Sequence, residues 1–85
     1  MKSFTYVITD ENGIHARPAG LLAKEAKEIH SKVILSCNGK SAEATKLIAI
    51  MSLGAKKGME ITVTAEGEDE ESAITRLEGF FTANL

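Results

Sequence analysis

Tryptophan is absent from the 85 residues, and cysteine and proline occur once each. The lone Cys37 excludes an internal disulfide and fits a reducing compartment. Two histidines and one cysteine at these spacings match no zinc pattern. Aromatic residues are only 5% of the chain, so the sheet lacks an evident set of stacking platforms for RNA. The net charge of −2 argues against a general nucleic-acid binder. No Gly-rich phosphate loop or nucleotide signature occurs, which argues against an ATP-dependent enzyme. No serine–histidine–acid arrangement is evident. Residues 1–5 lack the apolar stretch of a signal peptide, and no segment approaches the roughly 20 apolar residues of a membrane span. A cytoplasmic protein of one domain, residues 1–85, is expected, without metal or cofactor. Its 44% hydrophobic and 26% charged content is ordinary for a globular chain with a modest core.

Phe4, Tyr6 and Ile8 alternate with Thr5, Val7 and Thr9, the period of a strand with one core face. Asp10-Glu11-Asn12-Gly13 reads as a turn. From about residue 16 to 29, Ala19, Leu22, Ala23, Ala26 and Ile29 recur at helical spacing, leaving Leu21, Lys24 and Lys27 outside the stripe. Val33, Leu35 and Cys37 are the inward set of a second strand. Asn38-Gly39 predicts a tight hairpin into a third strand, about 40–43. A short helix is expected over about 46–53, with Thr45 as N-cap. Ile61, Val63 and Ala65 mark a fourth strand. A final helix starts near Asp69, with the stripe Ala73, Ile74, Leu77, Phe80 and Phe81. Glu70 and Glu71 suit its dipole, and the cost of Gly79 predicts a fraying end. The order βαββαβα, with one apolar face per element, predicts an α+β two-layer sandwich: an antiparallel sheet with helices on one side.

The chemistry concentrates in Gly13-Ile14-His15-Ala16-Arg17-Pro18-Ala19. Proline is favoured in the first helical turn, where its missing N–H has no helical partner. Pro18 therefore sets a helix start beside His15. Such a start carries free N–H groups and the positive dipole end, which together favour anions. An unperturbed histidine, with a pKa of about 6.5, is mostly neutral near pH 7 and can act as a nucleophile. Arg17 can add charge-assisted hydrogen bonds to phosphate oxygens. Together they point to a histidine that carries phosphate. His30, at the end of the first helix, has a structural or surface role, and Cys37 a core one. The acidic run Glu66, Glu68, Asp69, Glu70 and Glu71 reads as a solvated turn and helix start. The second helix has apolar groups around most of its circumference, so one side is expected to form an exposed patch for a partner. Lys24, Lys27 and Lys46 would give it a basic rim.

The chain resembles the histidine-containing phosphocarrier family, HPr, of the bacterial sugar phosphotransferase system over almost its whole length. Besides the run from Gly13 to Ala19, the resemblance rests on Asn38-Gly39-Lys40, Ile50-Met51-Ser52-Leu53-Gly54 and Ala65-Glu66-Gly67. It implies an open-faced β-sandwich, a four-stranded antiparallel sheet covered on one side by three helices. It implies that phosphorylated enzyme I, drawing on phosphoenolpyruvate, modifies Nδ1 of His15. The group then passes to a histidine of a sugar-specific IIA domain. The protein is thus a covalent intermediate in a relay, not an independent catalyst. Arg17 would stabilise the phosphate, with the helix start at Ala16 and Pro18 helping. Partners would dock on Arg17, Gly20, Leu21, Lys24, Lys27, Leu47, Ile48 and Met51, with Lys46 from the basic rim read above added to that surface. A monomer is expected.

Lys46 stands where many family members carry a regulatory serine. Lysine cannot accept that modification, so the chain is expected to escape the kinase. Thr45 and Ser52 are neighbouring hydroxyls. Ala42-Glu43-Ala44 and Ile48-Ala49 are similar to the nitrogen-related branch of the family. The competing reading is therefore a regulatory or nitrogen-branch paralogue acting by partner binding. An independent enzyme using His15 as general base is a third.

Overall fold

The computed structural model describes residues 1–85. Four strands and three helices follow the order β1 (Lys2–Val7), α1 (Ala16–Lys27), β2 (Lys32–Cys37), β3 (Lys40–Glu43), α2 (Leu47–Ser52), β4 (Glu60–Glu66) and α3 (Glu70–Asn84). The antiparallel sheet runs β1-β4-β2-β3, placing β1 at one edge and β3 at the other. The expected open-faced α+β sandwich is present.

Strand alternation places the core. Val33, Leu35, Cys37, Ile61, Val63 and Ala65 are buried beneath the helices. The opposite sheet face carries Ser3, Thr5, Ser36, Thr62 and Thr64, with Thr5 opposite Thr62 and Ser36 opposite Thr62 on its other side. From above, α1 contributes Ala19, Leu22, Ala23 and Ala26, and α3 contributes Ala73, Leu77 and Phe81. All four aromatic side chains meet in one place. Phe81 packs edge-on against Phe4, Tyr6 and Phe80, at centroid distances of 5.7, 5.6 and 6.1 Å. That geometry favours aromatic pairs beyond area burial, and it ties α3 to β1.

Three local readings need correction. β1 ends at Val7, and buried Ile8 continues in the connection, where its N–H donates to the Met59 carbonyl. α2 is capped by extended Lys46 rather than Thr45, without a side-chain cap bond, and ends at Ser52. α3 runs unbroken through Gly79 to Asn84. Its end is held because the Leu85 oxygen accepts the N–H groups of Thr9 and Asp10 and the Thr9 hydroxyl. Tertiary contact outweighs the glycine penalty here. The β2–β3 hairpin follows the sequence: Asn38 and Gly39 have φ of 57° and 79°.

The acidic run is partly a staple. Asp69 accepts the His30 N–H at 3.0 Å and the Ser31 hydroxyl, joining the connection between α1 and β2 to the start of α3. Those two bonds, the hydroxyl first, hold its carboxyl below the usual range. Glu70 is held low by the Met1 amino group and then by the Gly67 N–H. A depressed carboxyl stabilises the fold above its unfolded value and loses that contribution as pH falls. The fold should therefore weaken as pH drops below about 4.5, the reference for Glu70, and further below about 3.8, the reference for Asp69. Asp69→Asn should flatten this slope in urea titrations, leaving the part due to Glu70.

Two glycines should respond in opposite directions. Gly13 has φ +65°, and a Cβ there would lie 2.8 Å from Lys56 Cα and press on the Ala55 carbonyl. Gly13→Ala should destabilise by about 2 kcal/mol or more. Gly79 has open space where a Cβ would go. Gly79→Ala, within a helix, should stabilise by about 1 kcal/mol. Urea midpoints of the two variants against wild type check both.

Candidate phosphoryl site

The chain leaves β1 at Val7 and reaches α1 through residues 8–15. This connection is pinned from two sides. The Gly58 N–H donates to the Ile8 carbonyl, and the Ile14 N–H donates to the Ala55 carbonyl at 3.0 Å. Gly13 lies against the same backbone, close enough that only glycine fits. Ile14 is buried, and the next residue emerges.

His15 is the N-cap of α1, in extended conformation, and its side chain does not cap the helix. Its side chain is 42% exposed. Pro18 is buried in the first turn. Having no N–H, it cannot itself donate to an anion; its contribution is the helix geometry. The first-turn donors are the N–H groups of Ala16 and Arg17, which find no acceptor within the chain. Ala19 N–H already bonds to the His15 carbonyl. No acidic side chain occupies this first turn, whereas α3 begins with Glu70 and Glu71. The positive end of α1 is thus uncompensated from within.

The two arginines have opposite situations. Arg76 is gripped by Glu25 and Glu28, which raise its pKa and bridge α3 to α1. Arg17 is exposed and joins no ion pair. Its guanidinium is available for an incoming anion.

His15, Arg17 and Pro18 line an open depression of about 320 Å³ with Asp10, Leu21, Ala83 and Asn84. Sequence reading placed Asp10 only in a turn and did not foresee a contribution from the end of α3. The Asp10 Oδ1 atom lies 4.0 Å from His15 Nε2. An Asp-x-Asn turn is visible in the sequence, but its approach to the ring depends on how the connection folds. No group of three or more histidine, cysteine or acidic side chains is placed to hold a metal.

The expected partner residues lie on α1 and α2, which pack together. Leu21, Lys24 and Lys27 are exposed on α1, and Gly20 is half-buried. Lys46, Leu47, Ile48 and Met51 are exposed on α2 and its cap, Ile48 to 75%. Ile50 and Leu53 take the buried side. A two-turn helix on a sheet cannot bury its full circumference, so an apolar patch remains outside. Lys24 and Lys27 also fall in the last turn of α1, where cations suit the dipole. His30 is exposed and Cys37 is buried, and neither belongs to the site.

A four-stranded open-faced sandwich with a half-exposed histidine at the start of its first helix is the arrangement expected of a phosphoryl-carrier class of protein. Comparisons with known proteins agree. The family model for the phosphorylation site of the phosphotransferase-system HPr component matches residues 2–83. A histidine-containing phosphocarrier protein from Mycoplasma is 35% identical with a TM-score of 0.93, the match covering 96% of this chain and 93% of the other. HPr from Thermoanaerobacter tengcongensis is 36% identical with a TM-score of 0.92, covering 98% and 93%. The Bacillus subtilis catabolite-repression protein Crh, in a swapped dimer, is 34% identical with a TM-score of 0.78, covering 94% and 92%. The chain belongs to the HPr phosphocarrier family of the phosphotransferase system.

Proposed function

We propose that residues 1–85 act as one phosphocarrier domain that takes a phosphoryl group on His15 from phosphorylated enzyme I. It passes the group to a histidine of a sugar-specific IIA domain. The observation that carries this reading is the juxtaposition of a half-exposed N-cap His15 with unpaired Arg17 at a helix start that carries no acidic side chain. Phosphoryl transfer rests mainly on positioning and electrostatics, so a site this small suffices. The N–H groups of Ala16 and Arg17 and the Arg17 guanidinium would meet the dianionic product.

Docking is assigned to the exposed faces of α1 and α2, with Leu21, Leu47, Ile48 and Met51 as the apolar centre. Gly20 would allow close approach, and Lys24, Lys27 and Lys46 would form a rim for acidic partners. Lys46 removes the hydroxyl that a serine kinase would use. Cytoplasmic residence follows from these partners. A second reading, a binding-only paralogue, is favoured by the likeness to Crh, named for catabolite repression. The intact His15–Arg17 pair favours the carrier.

Intact-mass analysis after incubation with enzyme I, magnesium and phosphoenolpyruvate tests the proposal. Wild type should gain one acid-labile phosphoryl group and His15→Ala none. Arg17→Ala should be modified roughly tenfold to hundredfold more slowly, the scale of a lost hydrogen bond to a charged group. Unmodified wild type beside a demonstrably active enzyme I would reject the carrier reading and favour the paralogue.

A further inference from the structure

We propose that Asp10 is a positioning residue for His15: its carboxylate keeps the ring proton on Nε2, so that Nδ1 is the nitrogen that takes and gives the phosphoryl group. This rests on the carrier reading above. The starting observation is the 4.0 Å approach of Asp10 Oδ1 to His15 Nε2.

Asp10 is held in place from several directions. Its Oδ1 accepts the Asn12 N–H at 2.8 Å, and its carbonyl accepts the Gly13 N–H at 3.0 Å. Its own N–H donates to the Leu85 oxygen at 2.8 Å. The turn before α1 is therefore folded around this one residue. His15 is fixed next to it by the Ile14–Ala55 bond and by its place at the helix cap. The other charged group lining the depression is Arg17; α3 adds only Ala83 and Asn84. Asp10 is thus the anionic group that faces the ring, and it faces Nε2.

A carboxylate beside one ring nitrogen favours the tautomer with the proton there. The lone pair then sits on Nδ1. In the transfer, that pair forms the new N–P bond. The bond from phosphorus to the donor breaks, and its electrons leave on the donor. No proton moves. The ring keeps its Nε2–H and becomes an imidazolium, whose charge faces Asp10. In the onward transfer the N–P electrons return to Nδ1, and the ring departs as neutral imidazole. Without the Nε2 proton it would have to depart as imidazolate, a much poorer leaving group. One carboxylate thus serves both directions of the relay. It also shortens the lifetime of the phosphoprotein at alkaline pH, because it holds the ring in the labile protonated form.

Asp10→Asn removes the charge and keeps the oxygen that accepts the Asn12 N–H. Asp10→Glu restores the charge. Ring nitrogen NMR shifts of the unmodified proteins, recorded where the ring is neutral, report the tautomer without any partner. Asp10→Asn should lower the share of the Nε2–H form, and Asp10→Glu should return it towards wild type. After loading by enzyme I, phosphate release at about pH 8 should be about twofold to fivefold slower in Asp10→Asn, the range expected for a part-exposed ion pair. Its release profile should shift to lower pH. An unchanged tautomer share and an unchanged release profile would overturn the proposal. A wild type that takes no phosphoryl group would instead contradict the carrier function, and the tautomer share would then decide the role of Asp10 by itself.

Discussion

The contact between the backbone at Gly13-Ile14 and the backbone at Ala55-Lys56 is the constraint on which the site depends. The Ile14 N–H to Ala55 carbonyl bond fixes the connection from β1 to the loop between α2 and β4. Gly13 permits the approach because it has no Cβ and a positive φ. Once that contact is made, Ile14 turns into the core and His15 turns out at the helix cap. His15 is therefore placed by packing elsewhere in the chain and needs no dedicated scaffold.

Charge is distributed to match. Between α1 and α3 the charged side chains find partners: Arg76 pairs with Glu25 and Glu28, and Asp69 accepts the His30 N–H and the Ser31 hydroxyl from the α1–β2 connection. At the start of α1 no acidic side chain takes Arg17, and the nearest carboxylate, Asp10, lies by the His15 ring instead. Arg17 is unpaired, and the first-turn N–H groups are without acceptors. The exposed apolar residues of α1 and α2 lie on the helices beside this open end. A partner seated there would shield the depression from water, and electrostatic interactions strengthen as water leaves.

Much of this was legible in the sequence, because period and turn chemistry are local. Alternation in β4, the Asn38-Gly39 hairpin and the helical stripe of α1 each follow from a few neighbouring residues. The Gly13–Ala19 run likewise places His15 and Arg17 together on one helix start. What the sequence could not show depends on distant contacts. The end of α3 is held by Thr9 and Asp10, from the other end of the chain, so Gly79 does not fray it. Thr45 has the chemistry of a cap, but the chain leaving β3 puts Lys46 in the capping position. Asp10 reads as a turn residue until the turn is folded against the ring. Gly67, where a Cβ would strike Ser31, has a role set by packing between the α1–β2 connection and the start of α3.

The central claim is that the start of α1 is a ready-made cradle for a phosphoryl group on His15. The most direct test is to follow backbone amide NMR signals as the protein is phosphorylated. The account predicts that the largest changes fall on the amides of His15, Ala16 and Arg17. Smaller ones should fall on Asp10 and Asn84, and the sheet should stay still. Phosphorylated His15 with unmoved Ala16 and Arg17 amides would contradict it, because the phosphate would then be held by something other than the helix start.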